Sequence, residues 1–148
     1  MKKLILFSIV ALALLSFTGA ETLKWHSLPD GLELSHSRNK PILLFVYAPW
    51  CDMCKRMEKK VFNNKEIAPL ISEKFILVKI NVDVDTAYLK SDKVLSRKIF
   101  LRDAGEGRMA LGVPTTVLFR DKEKEPMKIQ GVQEVEDFKT NIHQYLEK

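Results

Sequence analysis

Cysteine is nearly absent from this chain: 148 residues contain two. That excludes a small domain stapled by several disulfides. Glycine and proline are scarce as well, at six residues each. With 46% hydrophobic and 29% charged residues spread among one another, neither a collagen-like nor a wholly disordered chain is possible. Internal repeats and low-complexity tracts are missing. A chain of this length buries one core of ordinary size, so one domain is expected.

The N-terminus stands apart from that domain. Met1-Lys2-Lys3 is a positive start, Leu4 to Leu15 is apolar except for Ser8, and Thr18-Gly19-Ala20 ends in the small residue a signal peptidase requires. The run is too short to span a bilayer comfortably as a helix. Residues 1–20 therefore read as a cleaved secretory signal, with an uncleaved anchor as the alternative, and residues 21–148 as a single exported domain, periplasmic or otherwise outside the cytoplasm, and soluble after cleavage. No cysteine near Ala20 offers a site for lipid attachment.

The charge balance is mild. The full chain carries 24 basic and 19 acidic residues; loss of Lys2 and Lys3 leaves 22 against 19, a net charge of +3. That is too little to argue for nucleic acid as a partner. The densest cluster, Lys55, Arg56, Lys59 and Lys60, is interrupted by Glu58 and reads as the solvated face of an amphipathic helix.

Export changes the meaning of Cys51 and Cys54, because thiols in an oxidising compartment stay reduced only with a supply of electrons. A C-x-x-C pair closes a very small loop and is a poor staple. As a redox device the spacing makes sense. At the start of a helix the first sulfur lies beside unpaired N–H groups and the positive end of the helix dipole, which favours its thiolate. The second sulfur, one turn on, is within reach of a mixed disulfide formed at the first.

The flanking pattern supports this placement. Pro41 to Ala48 (P-I-L-L-F-V-Y-A) is a continuous apolar run typical of a strand buried on both faces. Pro49-Trp50 breaks it, and from Asp52 the pattern is helical, with Cys54, Met57 and Val61 on one apolar stripe. Cys54 should point inward and Cys51 should be reachable from solvent. Further along, helices are expected over Asp30–Asn39, over Asn64–Lys74 with Asn63 or Asn64 as N-cap, and over Thr86–Asp103. A loop follows over Ala104–Gly112. Strands are expected at Phe75–Val82, Thr115–Phe119 and Met127–Gln130, the last two forming a hairpin across a charged turn at Asp121–Pro126. Val135, Phe138, Ile142, Tyr145 and Leu146 mark a closing amphipathic helix. Trp25, Tyr88 and Phe138 belong to the core. Strands alternating with helices, then a hairpin and a last helix, describe an α/β fold with a central mixed β-sheet flanked by helices.

At this point a resemblance becomes specific. Tyr47-Ala48-Pro49-Trp50-Cys51-Asp52-Met53-Cys54-Lys55 after a buried strand resembles the active-site motif of the thioredoxin superfamily. Gly112-Val113-Pro114-Thr115 before a strand resembles its cis-proline loop. Both occur in the right order, and the likeness covers residues 24–146. The run from Lys40 to Phe62 is most similar to the exported thioredoxin-like domains, among them the C-terminal domain of the reductant conductor DsbD. The resemblance implies a thioredoxin-like fold and thiol–disulfide exchange, with Cys51 attacking and Cys54 resolving. It implies that Trp50 covers one side of the cysteine pair and that Val113 and cis-Pro114 meet the extended chain of a substrate. It also implies protein thiols and disulfides as partners, with a membrane electron donor of DsbD type and no cofactor.

Two departures qualify it. Many thioredoxins carry a buried acid six residues before the first cysteine, where this chain has Phe45. The stretch between Asp83 and Pro114 is longer than in a minimal thioredoxin by about one helix, and its Gly105, Gly107 and Gly112 point to a mobile surface loop. Asp52 bears on direction: a carboxylate beside Cys51 disfavours the thiolate and makes the disulfide less oxidising, so a reductant is expected rather than an oxidant. The alternatives are a non-catalytic binding module and a copper-handling one, since Met53 and Met57 flank the pair. A zinc site is not expected: one C-x-x-C with scattered His26, His36 and His143 is half a ligand set. Haem attachment needs a histidine where Lys55 stands.

Overall fold

The computed structural model describes residues 22–85, 112–120 and 126–148. The signal segment, the expected helix over 86–103, most of the glycine loop, Tyr88 and the turn over 121–125 lie outside the described residues.

Among the described residues five strands form one mixed sheet in the order β1-β3-β2-β4-β5: β1 Trp25–His26, β2 Ile42–Tyr47, β3 Ile76–Asn81, β4 Thr115–Phe119 and β5 Met127–Gln130. β1 and β2 run parallel to β3, while β4 runs antiparallel to both β2 and β5. The continuous apolar run becomes the central strand, and Ile42 to Val46 are fully buried there. Four α-helices among the described residues accompany the sheet: α1 Leu28–Arg38, α2 Asp52–Met57, α3 Ile67–Lys74 and α4 Val135–Leu146.

Because side chains alternate along a strand, the sheet divides the core in two. Ile42, Leu44, Val46, Ile76, Val78, Ile80, Val117 and Phe119 face one way and meet Leu28 of α1. Leu43, Phe45, Leu77, Leu118 and Ile129 face the other way, where they pack with both cysteines, Met57, Val61 and Phe62, Ile67 and Ile71 of α3, and Phe138 and Ile142 of α4. α1 lies so close to the sheet that a Cβ on Gly31 would overlap the Val78 side chain.

Three helices differ from the sequence expectation, each for a local reason. α1 begins at Leu28 rather than Asp30, because Ser27 is the N-cap and its Oγ accepts from the Asp30 N–H, with Pro29 in the first turn. It ends on Asn39 in the left-handed region at φ 51°. α3 begins at Ile67 rather than Asn64; the Asn64 side chain accepts from Glu66 N–H at 2.8 Å and closes a turn ahead of the helix. The helix that follows the cysteines is α only to Met57 and continues as a π turn over Glu58–Phe62, with Asn63 N–H donating to Glu58 O at 3.0 Å. The stripe of Cys54, Met57 and Val61 is buried as expected, and Phe62 is buried beside it.

Candidate active site

β2 delivers the chain to one end of the sheet at Tyr47, and Ala48-Pro49-Trp50 turns it. Cys51 N–H donates to Ala48 O at 3.1 Å, which sets Cys51 in extended conformation as the N-cap of α2. Cys51 and Cys54 form a disulfide with their Cα atoms 5.2 Å apart. The Cys54 N–H donates to Cys51 Sγ at 3.0 Å. That donor, at the positive end of the helix, favours negative charge on the Cys51 sulfur when the bond is opened.

Burial separates the two cysteines less than a helix-end position predicts. Cys54 is 1% exposed and Cys51 only 6%, so the sulfur that was expected to be open to solvent is largely covered by its own turn and the core beneath. What is exposed lies around it. Trp50 is 67% exposed and Met53 49%. Trp50 is held by its indole, whose Nε1 donates to Asp83 Oδ2 at 3.0 Å. Asp83 sits in the turn after β3, which is pinned by Val82 N–H donating to Tyr47 O and by Asn81 N–H donating to Asp85 Oδ2. Asp52 pairs with Lys55 at 3.0 Å, both side chains well exposed, so its field at Cys51 is partly neutralised and screened.

Val113 and Pro114 are joined by a cis peptide bond. The register pairs Val46 with Thr115, so Pro114 lies beside the end of β2 from which the cysteine turn departs. Pro114 is buried, Val113 packs against both halves of the core, and Thr115 Oγ1 donates to Gly112 O at 2.6 Å. The fold thus gathers Trp50, Cys51, Asp52, Cys54, Val113 and Pro114 at one end of the sheet.

Beneath the cysteines the layer is aromatic. Phe45 meets Phe62 edge-on at 4.8 Å between ring centroids and stacks on Tyr47 at 5.9 Å; Trp25 meets Phe62 at 5.4 Å. One charged pair lies among these rings. Lys79 is the cross-strand partner of Phe45, its Nζ lies 4.7 Å from the Trp25 ring centroid, and it pairs with Glu58 Oε2 at 2.7 Å. Sequence reasoning missed this pair and the Trp50–Asp83 bond. The available signal was Lys79 itself, the one charge in a strand that is apolar from Ile76 to Val78 and at Ile80. Met57 packs in the core, and His36 and His143 lie exposed.

A thioredoxin-like family model matches residues 24–120. Over 112 residues, 74% of the chain, the sequence is 26% identical to the thiol:disulfide interchange protein DsbD of Salmonella typhi, and the match takes up 18% of that much longer protein. The structure is similar to a thioredoxin from Thermus thermophilus, with a TM-score of 0.62 at 16% identity, covering 85% of this chain and 88% of that one. It is equally similar to DsbH oxidoreductase, with a TM-score of 0.62 at 19% identity, covering 86% and 87%.

Proposed function

The chain belongs to the thioredoxin-like family, and from that premise we propose that it is an exported thiol–disulfide oxidoreductase that reduces protein disulfides. The observation that carries the reading is the Cys51–Cys54 disulfide at a helix start, with a backbone N–H on the outer sulfur. In the reduced protein the Cys51 thiolate attacks one sulfur of a substrate disulfide, forming a mixed disulfide and releasing the other substrate sulfur as thiolate. The Cys54 thiolate then attacks Cys51 Sγ, closing the internal disulfide and releasing the second substrate sulfur. Two electrons pass to the substrate, and a dithiol donor must return two to Cys51–Cys54.

In this reading Trp50 and Val113–Pro114 are the walls against which a substrate chain lies, Asp52 tunes Cys51, and residues 1–20 are removed during export, after which a membrane protein of DsbD type supplies the electrons. Among the described residues no helix is long and apolar enough to cross a membrane. The name of the DsbD relative, a thiol:disulfide interchange protein, supports the chemistry.

The test is equilibration of the protein in graded dithiol buffers, measuring the fraction of Cys51–Cys54 disulfide. A potential well below that of the glutathione pair is expected of a reductant; one near or above it makes the protein an oxidant or isomerase. Asp52→Asn should shift the potential toward more oxidising values, and an unchanged potential removes Asp52 from the account.

A further inference from the structure

The outward side of the cysteine helix is cationic in a way its composition conceals. Asp52, Met53, Lys55, Arg56, Lys59 and Lys60 are exposed, while Cys54, Met57, Val61 and Phe62 turn inward. Two acids share this segment, and on composition alone they offset half the positive charge. The structure takes both away from the outer three cations: Asp52 is occupied by Lys55, and Glu58 turns in toward the sheet to Lys79 at 2.7 Å. Among the described residues nothing pairs with Arg56, Lys59 or Lys60. These three follow Cys51 by five, eight and nine residues, which at about 1.5 Å of rise per residue sets their Cα atoms within roughly 14 Å of it along the helix. Exposed Trp50 and Met53 border the same sulfur. The carboxylates of Asp83 and Asp85, in the turn after β3, accept from Trp50 Nε1 and Asn81 N–H and keep their negative charge; the unpaired cations belong to the cysteine helix.

We propose that this helix face is a docking surface for partner proteins whose exchanging cysteines are flanked by acidic residues. The inference rests on the oxidoreductase reading and adds the partner's chemistry to it. Trp50 and Met53 supply apolar contact at the sulfur; Lys59 and Lys60 attract carboxylates as the partner approaches, and Arg56 offers a planar fork matched to a carboxylate. Because the cations stand away from the sulfurs, they act on encounter rather than on the exchange step.

The test uses the reduced full chain and three synthetic peptides that hold one internal disulfide each and differ only in the residues flanking their cysteines: glutamate, glutamine or lysine. The rate of peptide reduction is followed at two salt concentrations. The glutamate peptide should react roughly tenfold faster than the lysine peptide at ~0.01 M salt, where the screening length is near 30 Å, and within a factor of about two at ~1 M, where it is near 3 Å. In an Arg56→Gln/Lys59→Gln/Lys60→Gln variant the low-salt ratio should fall toward one. A ratio cancels any common change in the Cys51 thiolate. Equal rates for all three peptides at low salt overturn the docking proposal and leave the oxidoreductase reading standing. A protein that reduces none of them overturns both, and a ratio unchanged in the variant moves the docking surface off this helix.

Discussion

The two sides of the sheet are built from alternate residues of the same strands, yet they differ in kind. On the α1 side Ile42, Leu44, Val46, Val78 and Val117 make a mostly aliphatic layer, brought close by Gly31. On the other side Phe45, Tyr47, Trp25 and Phe62 interlock as rings around the Glu58–Lys79 pair, and both cysteines sit on that layer. The aliphatic side holds the strands in register. The aromatic side presents ring edges to one another and holds the Lys79 cation over Trp25 and Tyr47. One strand serves both because its period of two sends neighbours to opposite faces.

Substitutions can break this division. The largest effect is expected from Cys51→Ser on the site side, which removes the attacking sulfur: peptide disulfide reduction should fall on the order of 10³-fold or more, while circular dichroism shows the fold retained. On the scaffold side, Gly31→Ala sets two terms against each other. Alanine gains about 1 kcal/mol in helix propensity, whereas forcing a methyl group against Val78 costs about 1–3 kcal/mol. Chemical denaturation should therefore show a net loss of up to about 2 kcal/mol, with the redox potential unchanged. If the potential moves with it, the two layers are coupled and the comparison fails.

Lys79→Met sharpens the contrast. Methionine keeps apolar contact with Trp25 and Tyr47 but leaves the Glu58 carboxylate, 33% exposed as a side chain, without its cation. Since both partners are partly solvated, the loss should be about 1 kcal/mol in denaturant unfolding, and adding Glu58→Gln should recover part of it.

The smallest effect belongs to Glu66–Lys139, which ties the start of α3 to α4 at 2.8 Å. The hydrogen bond and charge of Lys139 lower the Glu66 pKa, and Glu66 in turn raises that of Lys139. A depressed carboxylate pKa contributes stability above its ordinary value of 4.5 that is lost as pH falls through the folded value. A raised lysine pKa contributes stability below 10.5 that is lost as pH rises through its folded value. Glu66→Gln should flatten the acid limb of a melting-temperature profile slightly, and moderate salt should erase the difference.

Much of this layering was readable from residue order. A run with no polar break marked β2 as a strand buried on both faces, and the hairpin strands and α4 follow their own periodicities. The limits have physical causes. Val61 and Phe62 both fall within the width of an α-helical apolar stripe, so their burial does not tell an α turn from the π turn that follows Met57. Glu58 and Lys79 are 21 positions apart and meet only once β2 and β3 are in register. The coverage of Cys51 depends on the turn and the core beneath it rather than on helix position. The start of α1, by contrast, was readable: Ser27 followed by Pro29 is a cap signal that outranks the later Asp30.

The π turn also bears on how the chain tolerates changes of length. A turn closed from residue i to i+5 holds one residue more than the α turn it replaces. The segment after Met57 thus carries a spare position in its winding, while β2 anchors the chain before it and the Asn64 turn anchors the chain after it. A homologue shorter by one residue at Lys59 or Lys60 can wind as uninterrupted α-helix and still present the same pair of sulfurs. Alignments should gap there rather than between the cysteines and the sheet.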